Sequence, residues 1–169
     1  ALAGVVGILV LLIVIPAPTI RTHNLESVLD TDRIGTVIRD PGLMRLNFGI
    51  FMTHYLLMAS FVVLPLIFES TGAIPQETHH IYYFFMLLGS FTLMTPLMWM
   101  SDNPRFATSI LSFAILVCLS SLVLLGSTVD YYPVLVATTL FFMGFNLLEV
   151  LLPSRVSKMA GAGSRGTAM

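Results

Sequence analysis

A chain of 169 residues is long enough for one soluble domain, yet 56% of it is hydrophobic and only 10% charged, far from soluble usage. A net charge of −1 carries little information here, since membrane insertion reads the placement of positive charge, and no basic patch or aromatic-interleaved stripe suggests nucleic acid as a partner. The single cysteine, Cys118, lies within an apolar run, so an intrachain disulfide is excluded and the redox compartment stays open.

The first apolar run, residues 1–15, would cover only ~22 Å of helix, short of a ~30 Å hydrocarbon core. No basic segment precedes it, so a signal peptide is a poor reading. It reads as the truncated end of a transmembrane helix, and the whole chain as an internal slice of a longer membrane protein. Residues 16–47 form the longest gap. Leu25, Val28, Leu29, Ile34, Val37 and Ile38 give it a broken amphipathic pattern, with Glu26, Asp30, Asp32, Arg33 and Arg39 on other faces. This predicts a short helix lying on the membrane face, against the alternative of a solvated linker. Asp40-Pro41 stops any such helix before the next span.

Four complete runs follow, at 48–68, 81–100, 106–126 and 132–152, each about the 20 residues that a membrane-spanning helix needs. Strands would alternate over ~10 residues, and these do not. Pro65, Gly89 and Pro96 fall inside spans, where neighbouring helices can satisfy the freed backbone. Tyr82, Tyr83, Trp99, Tyr131 and Tyr132 sit near span ends, as interfacial aromatics do. Ser109, Ser112, Ser120 and Ser121 in the fourth run read as small residues for helix packing.

All eight basic residues fall in alternate gaps. Arg21, Arg33, Arg39 and Arg45 precede span two, Arg105 separates spans three and four, and Arg155, Lys158 and Arg165 follow span five. Cytoplasmic loops keep Lys and Arg, so 16–47, 101–105 and 153–169 are expected to be cytoplasmic, and 69–80 and 127–131 external.

Charges inside spans are costly and therefore functional candidates. His54 lies about two turns into span two, and Glu149 about one turn from the end of span five. Thr139, Phe142, Asn146 and Glu149 step by three, four and three, which places them on one helical face. Asn47, His54 and Phe61 recur every seven on span two. The two spans could line one polar seam, with His54 and Glu149 at similar depth and able to relay protons. Against this, Glu149 could pair with Arg155 or bond loop backbone, and His54 could make an interhelical hydrogen bond. Asp102 and Arg105 occupy a short turn, where a capping role is the default. Glu77, His79 and His80 lack a full ligand set, so no metal is expected. Gly161, Gly163 and Gly166 spell G-x-G-x-x-G, but no strand precedes them and no cofactor is expected.

The stretch from Arg39-Asp40-Pro41-Gly42 through Arg45-Leu46-Asn47-Phe48-Gly49 resembles the entry to the seventh helix of major facilitator superfamily transporters. Phe145-Asn146-Leu147-Leu148-Glu149, on to Pro153-Ser154, Ser157-Lys158 and Arg165-Gly166-Thr167-Ala168-Met169, resembles the end of helix ten and its following loop. The resemblance implies an all-α membrane protein with the major facilitator fold, here about five transmembrane helices (six to ten) of twelve. It implies that 16–47 is the linker between two six-helix halves, and that spans two and five, the helices carrying the seam, face a central cavity. The first half and the last two helices would be partners within the same chain. The family's cytoplasmic Gly-x-x-x-Asp signature survives only as Asp102 and Arg105, with Met98 in place of the glycine, so a gate formed by Asp102, Arg105 and Arg155 is in doubt. The function implied is secondary active transport of a small solute in the bacterial inner membrane by alternating access, with proton-coupled efflux antiport as its finer form. The alternatives are a polytopic membrane enzyme using His54 and Glu149 as acid and base, and a transport-inactive sensor subunit.

Overall fold

The structure, a computed structural model, describes residues 34–71, 74–160 and 165–168, together with helical positions 4, 5, 7, 10 and 13. Most of the first apolar run and the Leu25–Val28–Leu29 part of the amphipathic pattern lie outside the described residues. Among the described residues the chain is wholly helical. A short α1 (Ile34–Arg39) leads into α2 (Pro41–Thr71), and a 3-10 turn (Gln76–Thr78) leads into α3 (His79–Ser101). Then come α4 (Pro104–Ser127), α5 (Tyr131–Met159) and the short α6 (Arg165–Ala168). The helices α2 to α5 are long and apolar enough to cross a membrane.

Each long helix outruns its apolar run, and local chemistry explains where it starts. Asp40 breaks the chain between α1 and α2, and its Oδ1 accepts from the Gly42 and Leu43 N–H groups at 2.8 and 3.2 Å. This is an N-cap, with Pro41 at the first helical position where its missing N–H costs nothing. The Asp-Pro pair therefore ends one helix and starts the next, seven residues ahead of the apolar run. Asn103 does the same for α4, its Oδ1 accepting from Arg105 N–H at 3.1 Å with Pro104 following the cap. Asp102 beside it is exposed, so the capping expected of Asp102 and Arg105 falls to Asn103.

The hub is α5, which packs against α2, α3 and α4, while α3 also touches α4. In its most apolar stretch 67% of residues are buried, against 17% in α2 and α3. Each neighbour meets the hub at a glycine. Gly49 of α2 faces Leu152, Gly89 of α3 faces the Thr139 methyl, and Gly144 of α5 lies against Cys118 and Ala114 of α4. Small residues at crossings let membrane helices approach closely. The buried stripe of α4 is Ile110, Ala114, Cys118, Ser121 and Leu125. Of the serines expected to pack, only Ser121 is buried; Ser109, Ser112 and Ser120 are exposed. Ser120 sits ~100° round the helix from Ser121 and bonds its own helix at the Leu116 carbonyl.

At the end where α2 starts and α5 finishes, Val37, Leu43, Val156, Ala160 and Ala168 form a small apolar cluster. It docks α1 and α6 on the bundle, and Asn47 Nδ2 donates to the Ala168 carbonyl at 3.3 Å. At the opposite end the Tyr82 and Tyr131 hydroxyls share a 2.7 Å hydrogen bond that joins the starts of α3 and α5.

Among the described residues one buried side-chain group lacks a partner. Tyr83 Oη has no hydrogen bond although its ring packs on Phe68 at 5.7 Å. An unsatisfied buried hydroxyl is a cost without a return. Tyr83→Phe is therefore expected to leave the melting temperature of the full-length protein unchanged or raise its stability by up to ~1 kcal/mol. A measured loss of more than that would mean the hydroxyl has a partner.

Candidate functional site

The candidate site lies where α2 and α5 run side by side. His54 and Glu149 line one cavity of about 250 Å³, with Ile50, Thr53, Leu148, Leu152 and Pro153 completing the wall. Both His54 and Glu149 are exposed on this chain, so the cavity opens outward from the bundle. The structure thus brings together the two titratable span residues singled out by sequence.

The local hydrogen bonds fix what each group offers. His54 Nδ1 lies 2.9 Å from the Ile50 carbonyl one turn earlier. A carbonyl can only accept, so Nδ1 carries a hydrogen and, in the neutral ring, Nε2 keeps its lone pair. The ring edge meets Phe145 at 6.4 Å between centroids and 76°. Thr53 Oγ1 donates to the Gly49 carbonyl at 2.8 Å. Glu149 has no hydrogen-bond or ion-pair partner among the described residues. Arg155 turns away from it, with Nη2 donating to Thr108 Oγ1 at 3.4 Å across to α4.

Pro153 sits inside α5 and does not end it; the helix continues to Met159. Burial of Leu151, Leu152 and Val156 on either side holds the helix through the break. Proline has no N–H, so the Glu149 carbonyl four residues back loses its usual donor. The freed carbonyl belongs to the residue that also supplies the carboxylate.

The rest of the expected seam divides. Phe61 and Phe142 face each other at 6.5 Å between centroids, α2 against α5. Asn146 turns the other way, its Nδ2 donating to Ser90 Oγ of α3 at 3.1 Å in a buried position. Thr139 also lies toward α3, its methyl near Gly89 and its hydroxyl on the Leu135 carbonyl. Asn47 is held by α6, as above. Glu149 and Phe142 therefore lie toward α2, while Asn146 and Thr139 lie toward α3.

Phe145 and Thr53 belong to the site, Ser90 holds Asn146 toward α3, and none of the three was singled out by sequence as a site residue. Ser90 was the findable one, as a small hydroxyl residue in mid-span. Among the described residues no three His, Cys, Asp or Glu side chains cluster as metal ligands; His79 bonds the Ile74 carbonyl at 3.1 Å and lies edge-on to Phe68.

The Asn146–Ser90 bond allows a stability test. Hydrogen bonds between membrane helices contribute ~0.6 kcal/mol on average and up to ~1.7. Asn146→Leu is expected to lose about that much, and a double-mutant cycle with Ser90→Ala to return a coupling of the same size. In Asn146→Leu, Ser90 keeps its bond to the Leu87 carbonyl, whereas Ser90→Ala leaves the buried Asn146 amide without its acceptor, so the serine change alone should cost at least as much. Zero coupling would show that the two side chains act independently.

No family model matches the chain. The chain is 33% identical to the inner membrane transport protein YajR of Escherichia coli (strain K12) over 170 residues, which cover the whole chain and 37% of that protein. It is 29% identical to the uncharacterized transporter BU466 of Buchnera aphidicola subsp. Acyrthosiphon pisum over 126 residues, 74% of the chain and 32% of that protein. An uncharacterized transporter of Buchnera aphidicola subsp. Baizongia pistaciae matches at 25% over 143 residues, 79% of the chain and 34% of that protein. The chain spans about a third of the length of these relatives. Over its entire length it is similar to part of a major-facilitator-type transporter of the YajR kind.

Proposed function

We propose that this chain forms part of a multi-pass secondary transporter of the bacterial inner membrane, moving a small solute by alternating access and exporting it in exchange for protons. The observation that carries this reading is the cavity shared by His54 and Glu149. It sits on α2 and α5 of a four-span bundle that is similar to part of a transport protein. In this reading the loops at 16–47, 101–105 and 153–169 are cytoplasmic, and residues 48–169 supply four helices of the second half. The bilayer and the remaining helices of the same polypeptide surround the bundle. Its large exposed apolar side chains, Phe51, Phe84 and Leu116 among them, suit such surroundings.

The site supports proton exchange on geometric grounds. Glu149 presents an unpaired carboxylate and His54 an unpaired Nε2 to one cavity, so a proton can be accepted there and returned when the cavity changes sides. The two-half rocking motion would do the changing. Asp102, Arg105 and Arg155 remain candidates for holding the cytoplasmic side closed, with Arg155 doing so through its span across α4 and α5.

The test is solute flux in proteoliposomes holding the full-length protein, with and without an imposed pH gradient. The expected result is solute accumulation that depends on the gradient and collapses with a protonophore. Flux that ignores the gradient would remove proton coupling from the proposal. An absence of flux across a broad solute panel would overturn transport itself.

A further inference from the structure

We propose that the cavity between α2 and α5 selects solutes bearing a protonated amine, so that the transported class is small organic cations with an apolar body. This rests on the transport reading above. It follows from an inventory of what the cavity wall can still donate or accept.

The wall's hydrogens are already used. The Thr53 hydroxyl hydrogen goes to the Gly49 carbonyl, and the Nδ1 hydrogen of His54 goes to the Ile50 carbonyl. What remains free accepts: Nε2 of the neutral imidazole and the two carboxylate oxygens of Glu149. Ile50, Leu148 and Leu152 supply the rest of the lining and carry no polar side-chain atom. Among the described residues no Lys or Arg lines the cavity. Arg155 bonds Thr108, and Arg45 lies along an adjoining groove, with Phe48 and Ile115, that meets the cavity at Thr53, Leu148 and Leu152.

A wall that only accepts discriminates by charge. An anionic solute would meet lone pairs and a like charge, and its carboxylate would be desolvated with nothing to bond. A neutral alcohol could donate one hydrogen bond but would leave the Glu149 charge uncompensated. An ammonium offers three donors and the opposite charge, and charge-assisted hydrogen bonds are about twice as strong as neutral ones. Size points away from a bare ion. A cavity of about 250 Å³ holds roughly eight waters at ~30 Å³ each, and the apolar residues on its wall suit an alkyl or aryl body beside the charged head.

The experiment uses three solutes of nearly the same shape: phenethylammonium, 2-phenylethanol and phenylacetate. Their binding to the full-length transporter in lipid nanodiscs is measured by calorimetry, in parallel with their flux in proteoliposomes. The ammonium is expected to bind at least ten-fold more tightly than the other two. Glu149→Gln is expected to erase that preference, and Glu149→Asp to retain part of it, with thermal unfolding confirming that each variant is folded. Equal binding of the alcohol or the acid, no binding of the ammonium at millimolar concentration, or a preference that survives Glu149→Gln would each overturn the inference. Binding and flux separate the two readings. Selective ammonium binding without flux of any solute sinks transport and leaves the cation site standing. Flux of other solutes without ammonium preference does the reverse.

Discussion

Replacing Gly144 with leucine is expected to prevent the transporter from folding into a stable species, and alanine there to weaken it measurably. A Cβ at position 144 would lie 2.7 Å from Cys118 Sγ, 3.0 Å from the Ala114 carbonyl oxygen and 3.3 Å from the Cys118 nitrogen. Two of those three are backbone atoms of α4. They cannot rotate aside, so α4 must retreat from the hub helix. Overpacking of this kind costs ~1–3 kcal/mol. Alanine's better helix propensity returns up to ~1 kcal/mol, which leaves Gly144→Ala a net loss of up to ~2 kcal/mol by these two magnitudes. Leucine adds three more heavy atoms to the same crossing and no further propensity gain. Thermal unfolding of the full-length protein in detergent checks the alanine variant, and the monodisperse yield checks leucine. Cys118→Ala should restore part of the Gly144→Ala loss by removing the sulfur contact, though the Ala114 carbonyl remains. Gly42 is the control. Its Cβ would meet the Met159 methyl at 2.6 Å, the end of a flexible side chain that can swing away, and the capping Asp40 Oδ1 at 3.1 Å, which must give by a few tenths of an ångström, so Gly42→Ala should cost less than Gly144→Ala, where backbone is met. A melting temperature unmoved by Gly144→Ala would show that the α4–α5 crossing is looser than its geometry.

What the sequence made legible follows from which physical constraint acts. Bilayer thickness sets span length, so the four complete runs could be placed by counting, and their order and tight connections came with them. The break at Asp40-Pro41 was legible because proline restricts its own backbone and that of the residue before it. Helix ends elsewhere were not. Asp40 draws α2 back to Pro41 through two side-chain bonds, and Val156 buried against Val37 and Leu43 carries α5 past Pro153. Neither effect shows in hydropathy.

The seam illustrates a second limit. Periodicity gives the angle of a residue about its own helix, and by that angle Thr139, Phe142, Asn146 and Glu149 share one side of α5. That angle does not say which neighbour each residue meets. Two helices share that side, so Asn146 went to Ser90 on α3 while Glu149 joined His54 beside α2. The serines of α4 failed for a related reason. Their composition suggested packing, but the stripe facing α5 is fixed by the contact at Gly144, and only Ser121 falls on it.

The same division sets the effect expected of Glu149→Gln, the largest on function. Glutamine keeps the size and shape of the side chain and removes its charge. Glu149 is exposed on this chain and has no partner among the described residues, so folding loses nothing that glutamine cannot supply. Stability should stay within ~0.5 kcal/mol. Gradient-driven flux in proteoliposomes should fall at least ten-fold, a change of ~1.4 kcal/mol in the governing barrier, because glutamine cannot carry the proton that the proposed exchange requires. Asn146, one turn away on the same side, should show the opposite profile under Asn146→Leu, losing stability while flux per folded molecule persists. Full flux from folded Glu149→Gln would take the carboxylate out of the transport path. A loss of folded protein would instead make it a structural anchor, held by a contact from the remainder of the polypeptide. Comparing the two variants separates these outcomes, since any general fragility of α5 would weaken both alike.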